Sequence, residues 1–207
     1  MKKQLILLFM LMLLFSLTSC FEDDNIVNSS VYNDDIEYYH YDQHGKEIHY
    51  TKCKHRIVIY VNSEEKVNEV LDAIKGQVTV DCTLSKIIWA SIDSTRTDIV
   101  KNIKSIKNVE SVHYMVITKG GFFQVASNSI NIIFKENIDV YKFLEKAGIS
   151  NLVAKVEKAR FTDEPIYTVY FITTNLDFYK LSRDLYKAGS CVYVGPNFCM
   201  ELIPYNF

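Results

Sequence analysis

The sequence predicts an α+β protein in which one β-α-β-β-α-β unit occurs twice. Short runs with apolar residues at every second position, typical of strands with one buried face, recur along the chain. Between them lie segments whose apolar residues follow the i, i+3, i+4, i+7 spacing of an amphipathic helix. The simplest packing of each unit is a four-stranded antiparallel sheet with two helices on one face. We therefore expect two tandem ferredoxin-like sandwiches.

The first predicted unit, residues 54–118, opens with the alternating strand Arg56–Val61. A helix with apolar residues Val67, Val70 and Ile74 follows, and Gly76 supplies the left-handed residue that ends it. A hairpin, a second helix and a closing strand complete the unit; they cover Gln77–Leu84, Lys86–Asp93, Asp98–Lys107 and Val109–Ile117.

Residues 119–127, which contain Gly120 and Gly121, are predicted to be a linker. The second unit, residues 128–203, repeats the order of the first. Its last helix is expected to be capped by Asn175, and Gly195-Pro196 should interrupt its final strand. The remaining predicted elements are Asn128–Lys135, Asp139–Ala147, Leu152–Phe161, Ile166–Thr173, Cys191–Val194 and Phe198–Ile203.

The amino terminus predicts an exported protein. Lys2 and Lys3 precede an apolar run that is too short for a transmembrane helix, which needs about 20 apolar residues. The run ends in Leu17-Thr18-Ser19-Cys20, which resembles the lipobox of bacterial lipoproteins. This resemblance implies cleavage of residues 1–19 as a signal peptide, followed by acylation of the Cys20 thiol and its new amino group.

Residues 20–35 lack periodicity and should form a flexible acidic tether. Its Glu22-Asp23-Asp24 run is either a solvated linker or an export tag, because similar runs follow the lipid-bearing cysteine in some surface-exposed lipoproteins of Gram-negative bacteria. Residues 36–53 should form a β-hairpin around Gly45. We expect its histidines to lie at the surface without binding a metal; they are His40, His44 and His49.

Composition narrows the class of protein. Hydrophobic residues make up 48% of the chain and aromatic residues 13%, which predicts a packed core. A formal net charge of −2 disfavours binding to nucleic acid. No cofactor is predicted. Four cysteines besides Cys20 show no zinc-binding spacing, and the sequence leaves their disulfide state open; they are Cys53, Cys82, Cys191 and Cys199.

No set of residues predicts catalysis. The paired carboxylates Asp34-Asp35 and Asp163-Glu164 fall in the tether and in a turn, whereas catalytic pairs face each other across a cleft. Ser111 and His113 share one face of a strand, but no third residue suggests a triad. Trp89 is expected in the core. We therefore predict that the protein is not an enzyme.

Several segments resemble the amino-terminal region of exported bacterial subtilisin-like serine peptidases. They include Tyr38-Tyr39-His40-Tyr41, Ile57-Val58-Ile59-Tyr60-Val61, Asn131-Ile132-Ile133-Phe134-Lys135 and Val192-Tyr193-Val194-Gly195-Pro196-Asn197-Phe198. The resemblance implies ferredoxin-like propeptide domains, which assist folding of the peptidase and inhibit it with a tail in its substrate cleft. This sequence ends at Phe207 without a catalytic domain, so we expect either a propeptide-like module that acts alone or a relic of a longer peptidase.

These features predict a lipid-anchored protein of the bacterial cell envelope, in the outer membrane and with surface exposure as an option. The expected partner is a subtilisin-like peptidase, which the protein would inhibit or help to fold. Residues 204–207 form the predicted tail, and the cleft-binding segment comprises Ile203, Pro204, Tyr205, Asn206 and Phe207. The alternative function is binding of a small molecule, a glycan or a peptide.

The lipobox generates a direct test. The Cys20→Ser variant should lose metabolic labelling with an alkyne fatty acid and leave the membrane fraction, because no thiol remains to carry the acyl chains. Cys53→Ser is the matched control and should keep both label and location. A Cys20→Ser protein that is still acylated would contradict the predicted anchor.

Overall fold

The computed structural model describes residues 36–96, 98–118, 120–159 and 165–200. Within these ranges, the helices are α1 (Val67–Ile74), α2 (Ile99–Lys104), α3 (Val140–Lys146) and α4 (Phe178–Lys187). The strands are β1 (Tyr39–Tyr41), β2 (Glu47–His49), β3 (Thr51–Val61), β4 (Thr79–Leu84), β5 (Ile87–Ser91), β6 (Val109–Ile117), β7 (Phe123–Phe134), β8 (Val153–Lys158), β9 (Ile166–Phe171) and β10 (Cys191–Met200).

The prediction of two tandem ferredoxin-like sandwiches is wrong. Eight strands form one continuous antiparallel sheet in the order β4-β5-β3-β6-β7-β9-β8, and β10 pairs with β7. The four α-helices of the described residues therefore pack on a single α+β sheet structure instead of belonging to two separate sandwiches. Strands β1 and β2 form a small antiparallel sheet of their own.

The segment predicted to be a linker contains the junction that makes the sheet continuous. The Gly121 amide donates to the Thr118 carbonyl at 2.9 Å, and Gly121 takes a positive φ of 81° that glycine adopts without strain. This tight turn sends the chain back antiparallel to β6, so that Phe123 pairs with Ile117. Strand β7 consequently begins at Phe123, five residues before the predicted strand Asn128–Lys135.

The sheet is buried on both faces along Ile57–Val61 of β3, whereas the predicted sandwich has helices on one face only. Alternate β3 residues Ile57 and Ile59 pack against α1 and α2. Val58 and Tyr60 point to the opposite face, where they join a cluster that includes Val125 of β7. The uninterrupted apolar run of β3 is typical of a strand covered on both sides, whereas the open ferredoxin-like sheet would cover only one.

Helix α4 is capped at its start and tied to the β1–β2 hairpin. Asp177, and not the predicted Asn175, accepts hydrogen bonds from the amides of Tyr179 and Lys180 at 3.0 and 2.9 Å. The buried Arg183 of α4 donates to the Glu37 carbonyl at 2.7 Å. It also donates to the Tyr39 carbonyl at 2.9 Å, which ties the β1–β2 hairpin to the helix.

The final strand runs through Gly195-Pro196 without the predicted interruption. Its pairing with β7 extends from Cys191 to Met200, with register shifts between Cys191 and Tyr193 and between Pro196 and Phe198. Proline is tolerated because β10 lies at the border of the sheet and an irregular position needs no ladder hydrogen bond there. A Cβ atom on Gly195 would overlap the Tyr193 hydroxyl, so the absent side chain leaves room for that ring.

Candidate functional site

Both sets of residues singled out as sites by sequence lie outside the described residues. They are the lipidation residue Cys20 and the tail segment Ile203, Pro204, Tyr205, Asn206 and Phe207. Within the described residues, no group of three histidine, cysteine, aspartate or glutamate side chains is arranged to hold a metal ion. The hairpin histidines were predicted to lie at the surface. His44 and His49 are exposed, but His40 is buried.

Ser111 and His113 are brought together, but in the interior of the protein. The His113 Nε2 atom lies 2.9 Å from the Ser111 Oγ, which lies 2.6 Å from the Thr174 Oγ1. Only 3% of Ser111 and 4% of His113 is exposed, so a substrate cannot reach the hydroxyl. This serine–histidine pair therefore joins β6 to the segment before α4 and does not form an active site.

The carboxylate of Glu110 extends this cluster, which we call the polar joint; it comprises Glu110, Ser111, His113, Thr173 and Thr174. Glu110 accepts a hydrogen bond from the Thr173 hydroxyl at 3.1 Å and another from the Thr174 amide at 2.7 Å. The His113 ring also bonds the Thr174 backbone, which slightly offsets the effect of burial. Burial nevertheless lowers the pKa of His113 to about 3, so the ring is neutral in the folded protein at physiological pH.

One cysteine lies beside a histidine: the Cys53 Sγ is 3.5 Å from the His55 Nε2, but only 1% of Cys53 is exposed, so a substrate cannot reach this thiol. Among the described residues, Cys53, Cys82, Cys191 and Cys199 form no disulfide, which answers a question that the sequence left open. Burial raises the pKa of the Cys191 thiol to about 12 and also raises that of Cys199. A thiol with a raised pKa is a poor nucleophile, because the thiolate is the reactive form.

The remaining candidate is a groove of about 560 Å³ between helix α3 and strand β8. Its floor is apolar: Leu144 of α3 is buried, and Val153 and Val156 of β8 are half-buried. Tyr141 stands at its rim with 64% of its surface exposed. The other residues that line the groove are Lys142, Glu145, Ser150, Ala154 and Lys155.

Local sequence explains why α3 and β8 lie side by side. Asp139 caps α3 by accepting from the amides of Tyr141 and Lys142 at 3.0 and 3.3 Å. Gly148 ends the helix with a φ of 71°, and the fully buried Ile149 anchors the return of the chain. One 3₁₀ turn, Ser150–Leu152, then leads into β8.

Strand β8 is also an open edge of the sheet. It pairs with β9, and no further strand of the described residues continues the sheet beyond it. Strand β4 ends the sheet on the other side in the same way. An edge strand offers unpaired backbone N–H and C=O groups, to which an extended segment of another molecule can bind as an additional strand.

Polar contacts also join side chains along the β8 edge. The Lys155 Nζ lies 2.9 Å from a Glu157 carboxylate oxygen and 4.3 Å from the centre of the Tyr170 ring. The Tyr170 hydroxyl donates to Glu157 at 3.0 Å.

The sequence predicted strand β8 but not the groove beside it. The only local signal was the polar helix face that carries the exposed Tyr141.

In the described part of the chain, no helix is long and apolar enough to cross a membrane. Comparison with protein-family models, with curated proteins and with solved structures gave no match. The groove and the edge strands β4 and β8 are therefore the features that bear on function.

Because His113 is neutral when folded, the joint makes stability depend on pH. A histidine in the unfolded chain has a pKa near 6.5, so it is protonated below that pH. Folded His113 stays neutral down to about pH 3. The contribution of His113 to the free energy of unfolding is therefore fully present above pH 6.5, and it decreases as the pH falls below that value. Between pH 7.5 and 5, His113 should account for a loss of about 2 kcal/mol in unfolding free energy, measured by urea titration.

Two comparisons test this contribution. The His113→Gln variant should lose about 2 kcal/mol less than the wild-type protein over the same pH interval, whereas the exposed-site control His49→Gln should behave like wild type. If His113→Gln does not fold, an NMR titration of the wild-type protein decides. A His113 ring that takes up a proton between pH 7 and 5 in the folded state would contradict the account.

Proposed function

We propose that this protein is a non-enzymatic, lipid-anchored protein of the bacterial cell envelope that binds a protein partner at an open edge of its sheet. The partner class is a subtilisin-like peptidase, which the protein inhibits or helps to fold. The observation that carries this proposal is the open β8 edge, which runs beside a groove with an apolar floor. Edge strands of this kind bind extended peptide segments through backbone hydrogen bonds.

The interior of the protein supports a binding role over a catalytic one. Ser111 and His113, which are hydrogen-bonded to each other, are both buried, and Ser111 is also hydrogen-bonded to Thr174. The four described cysteines form no disulfide, and burial raises the pKa of two of their thiols. The groove itself is lined by lysine, glutamate, serine and tyrosine side chains without a bonded nucleophile and base among them.

The partner class comes from the resemblance of the sequence to the region that precedes subtilisin-like peptidases. The location comes from Cys20 and the acidic residues that follow it, which favour an outer-membrane lipoprotein with its globular part on a tether. Ile36, the first of the described residues, packs against the core cluster that contains residues of α3 and α4. The tether therefore joins the globular part through a packed residue.

An aromatic surface was the basis of the alternative, glycan binding. In the hairpin region, Tyr39 stacks on His49 with ring centres 5.0 Å apart, and Tyr41 stacks on Tyr186 at 5.1 Å. In addition, the Arg183 guanidinium lies 4.3 Å from the centre of the Tyr39 ring. These rings contact one another and a buried arginine, and Tyr39 and Tyr41 are half-buried, which is typical of packed rings.

The proposal predicts inhibition of a subtilisin-like peptidase. The full chain, in detergent, should lower cleavage of a fluorogenic peptide by such a peptidase from an exporting bacterium in a dose-dependent manner. A variant that lacks Ile203–Phe207 should lose this inhibition, because the resemblance assigns the cleft to that segment. Absence of inhibition together with no binding in a pull-down would contradict the partner class.

The deletion separates two parts of the proposal. An unchanged inhibition constant after removal of Ile203–Phe207 would show that the tail hypothesis is wrong, while binding through the sheet edge would stand. A matched control shortens the chain by Phe207 alone, which leaves most of the segment in place. Circular dichroism of both variants monitors folding.

A further inference from the structure

We propose that the groove between α3 and β8 binds an extended acidic segment of the partner, which adds to the sheet as a strand beside β8. This inference rests on the proposed function in that it takes the partner to be a protein. It goes further by naming one of the open edges and the chemistry of the segment that this edge selects.

The backbone of β8 provides the first requirement. Pairing with β9 is regular from Lys155 to Lys158, where consecutive residues of the two strands face each other. In an antiparallel strand, alternate residues direct their N–H and C=O groups to opposite sides, so the side away from β9 presents unpaired groups at every second position. An incoming strand of about four residues matches this regular stretch.

The walls of the groove provide the second requirement. Half-buried Val153 and Val156 and the buried Leu144 form an apolar floor between the helix and the strand. Tyr141 adds an exposed aromatic ring at the rim. A strand bound along β8 directs every second side chain toward α3, and an apolar side chain there would cover this floor.

Charge determines which segment is favoured. The elements α3 and β8 together carry four lysines and two glutamates, although the whole chain has a net charge of −2. Of these residues, Lys142, Glu145 and Lys155 line the groove itself, and Lys155 is paired with Glu157 beside it. The two lysines and one glutamate of the lining leave a small excess of positive charge, which favours carboxylates over basic segments. The four lysines are Lys142, Lys146, Lys155 and Lys158.

Strand β4, the edge at the other end of the sheet, differs from β8 in its charge and in its exposed side chains. The only charged residue of β4 is Asp81, so this strand would repel an acidic segment. Its Val80 and Leu84 side chains are exposed, by 41% and 60%. Strand β4 thus serves as an internal comparison: it has unpaired backbone groups like β8 but the opposite charge.

The probes are two fluorescein-labelled seven-residue peptides with blocked ends, one alternating valine with glutamate and the other valine with lysine. Fluorescence anisotropy with the full chain in detergent should show at least tenfold tighter binding of the glutamate peptide. Lys142→Glu should weaken that binding at least tenfold, because Lys142 lines the groove. Lys101→Glu on α2 changes the net charge equally and should leave the affinity unchanged.

A second variant, Ala154→Trp, fills the groove without changing charge, since Ala154 is exposed and lines it. It should weaken binding of the glutamate peptide and leave the thermal midpoint near that of wild type; Ser150→Trp replaces it if the first variant unfolds. Equal affinities for both peptides, or equal effects of Lys142→Glu and Lys101→Glu, would overturn the proposal.

The outcomes also separate this inference from the proposed function. Peptidase inhibition that is insensitive to Lys142→Glu and Ala154→Trp would leave the function standing and contradict the groove as the site. Selective binding of the glutamate peptide without inhibition of any subtilisin-like peptidase would support the groove and contradict the partner class.

Discussion

Strand β7 pairs along both edges, and the rest of the structure depends on this pairing. On one edge, its first two residues bond β6, and Ser129–Ile133 bond β9 further along. On the other edge it bonds β10 from Gln124 to Phe134. One twelve-residue strand thereby joins all the main strands into one sheet. Because the sheet is continuous, its path ends at β4 and β8, and these two edges carry different side chains; β10, whose partner strand among the described residues is β7, forms a further edge.

The buried polar joint between β6 and the segment before α4 reinforces this arrangement. Buried hydroxyl and carboxylate groups must be hydrogen-bonded, or they destabilise the fold. The buried Ser111 and His113 bond to each other, Ser111 also bonds Thr174, and the half-buried Glu110 accepts from Thr173 and Thr174. The joint thus couples the two halves of the chain, and it uses for structure a serine–histidine pair that resembles part of an active site.

Sequence patterns predicted the local elements better than their assembly. The strand Val109–Ile117 has the predicted bounds, and the predicted helix residues Val67, Val70 and Ile74 lie in α1 and are buried. The error concerned residues 119–127, where two glycines indicated a turn but could not show that β7 would pair back onto β6. Pairing between distant segments leaves no local periodicity. The α3–β8 groove was missed for the same reason, since neither element alone indicates that its neighbour leaves a space beside it.

The central claim is that β8, and not β4, accepts an extended acidic segment as a new strand. Hydrogen–deuterium exchange of the full chain, with and without the alternating valine–glutamate peptide, tests it most directly. The account predicts slower exchange of backbone amides within Val153–Lys158 when the peptide is bound, because outward N–H groups acquire partners, and no change within Thr79–Leu84. Unchanged exchange in β8, or protection confined to β4, would contradict it.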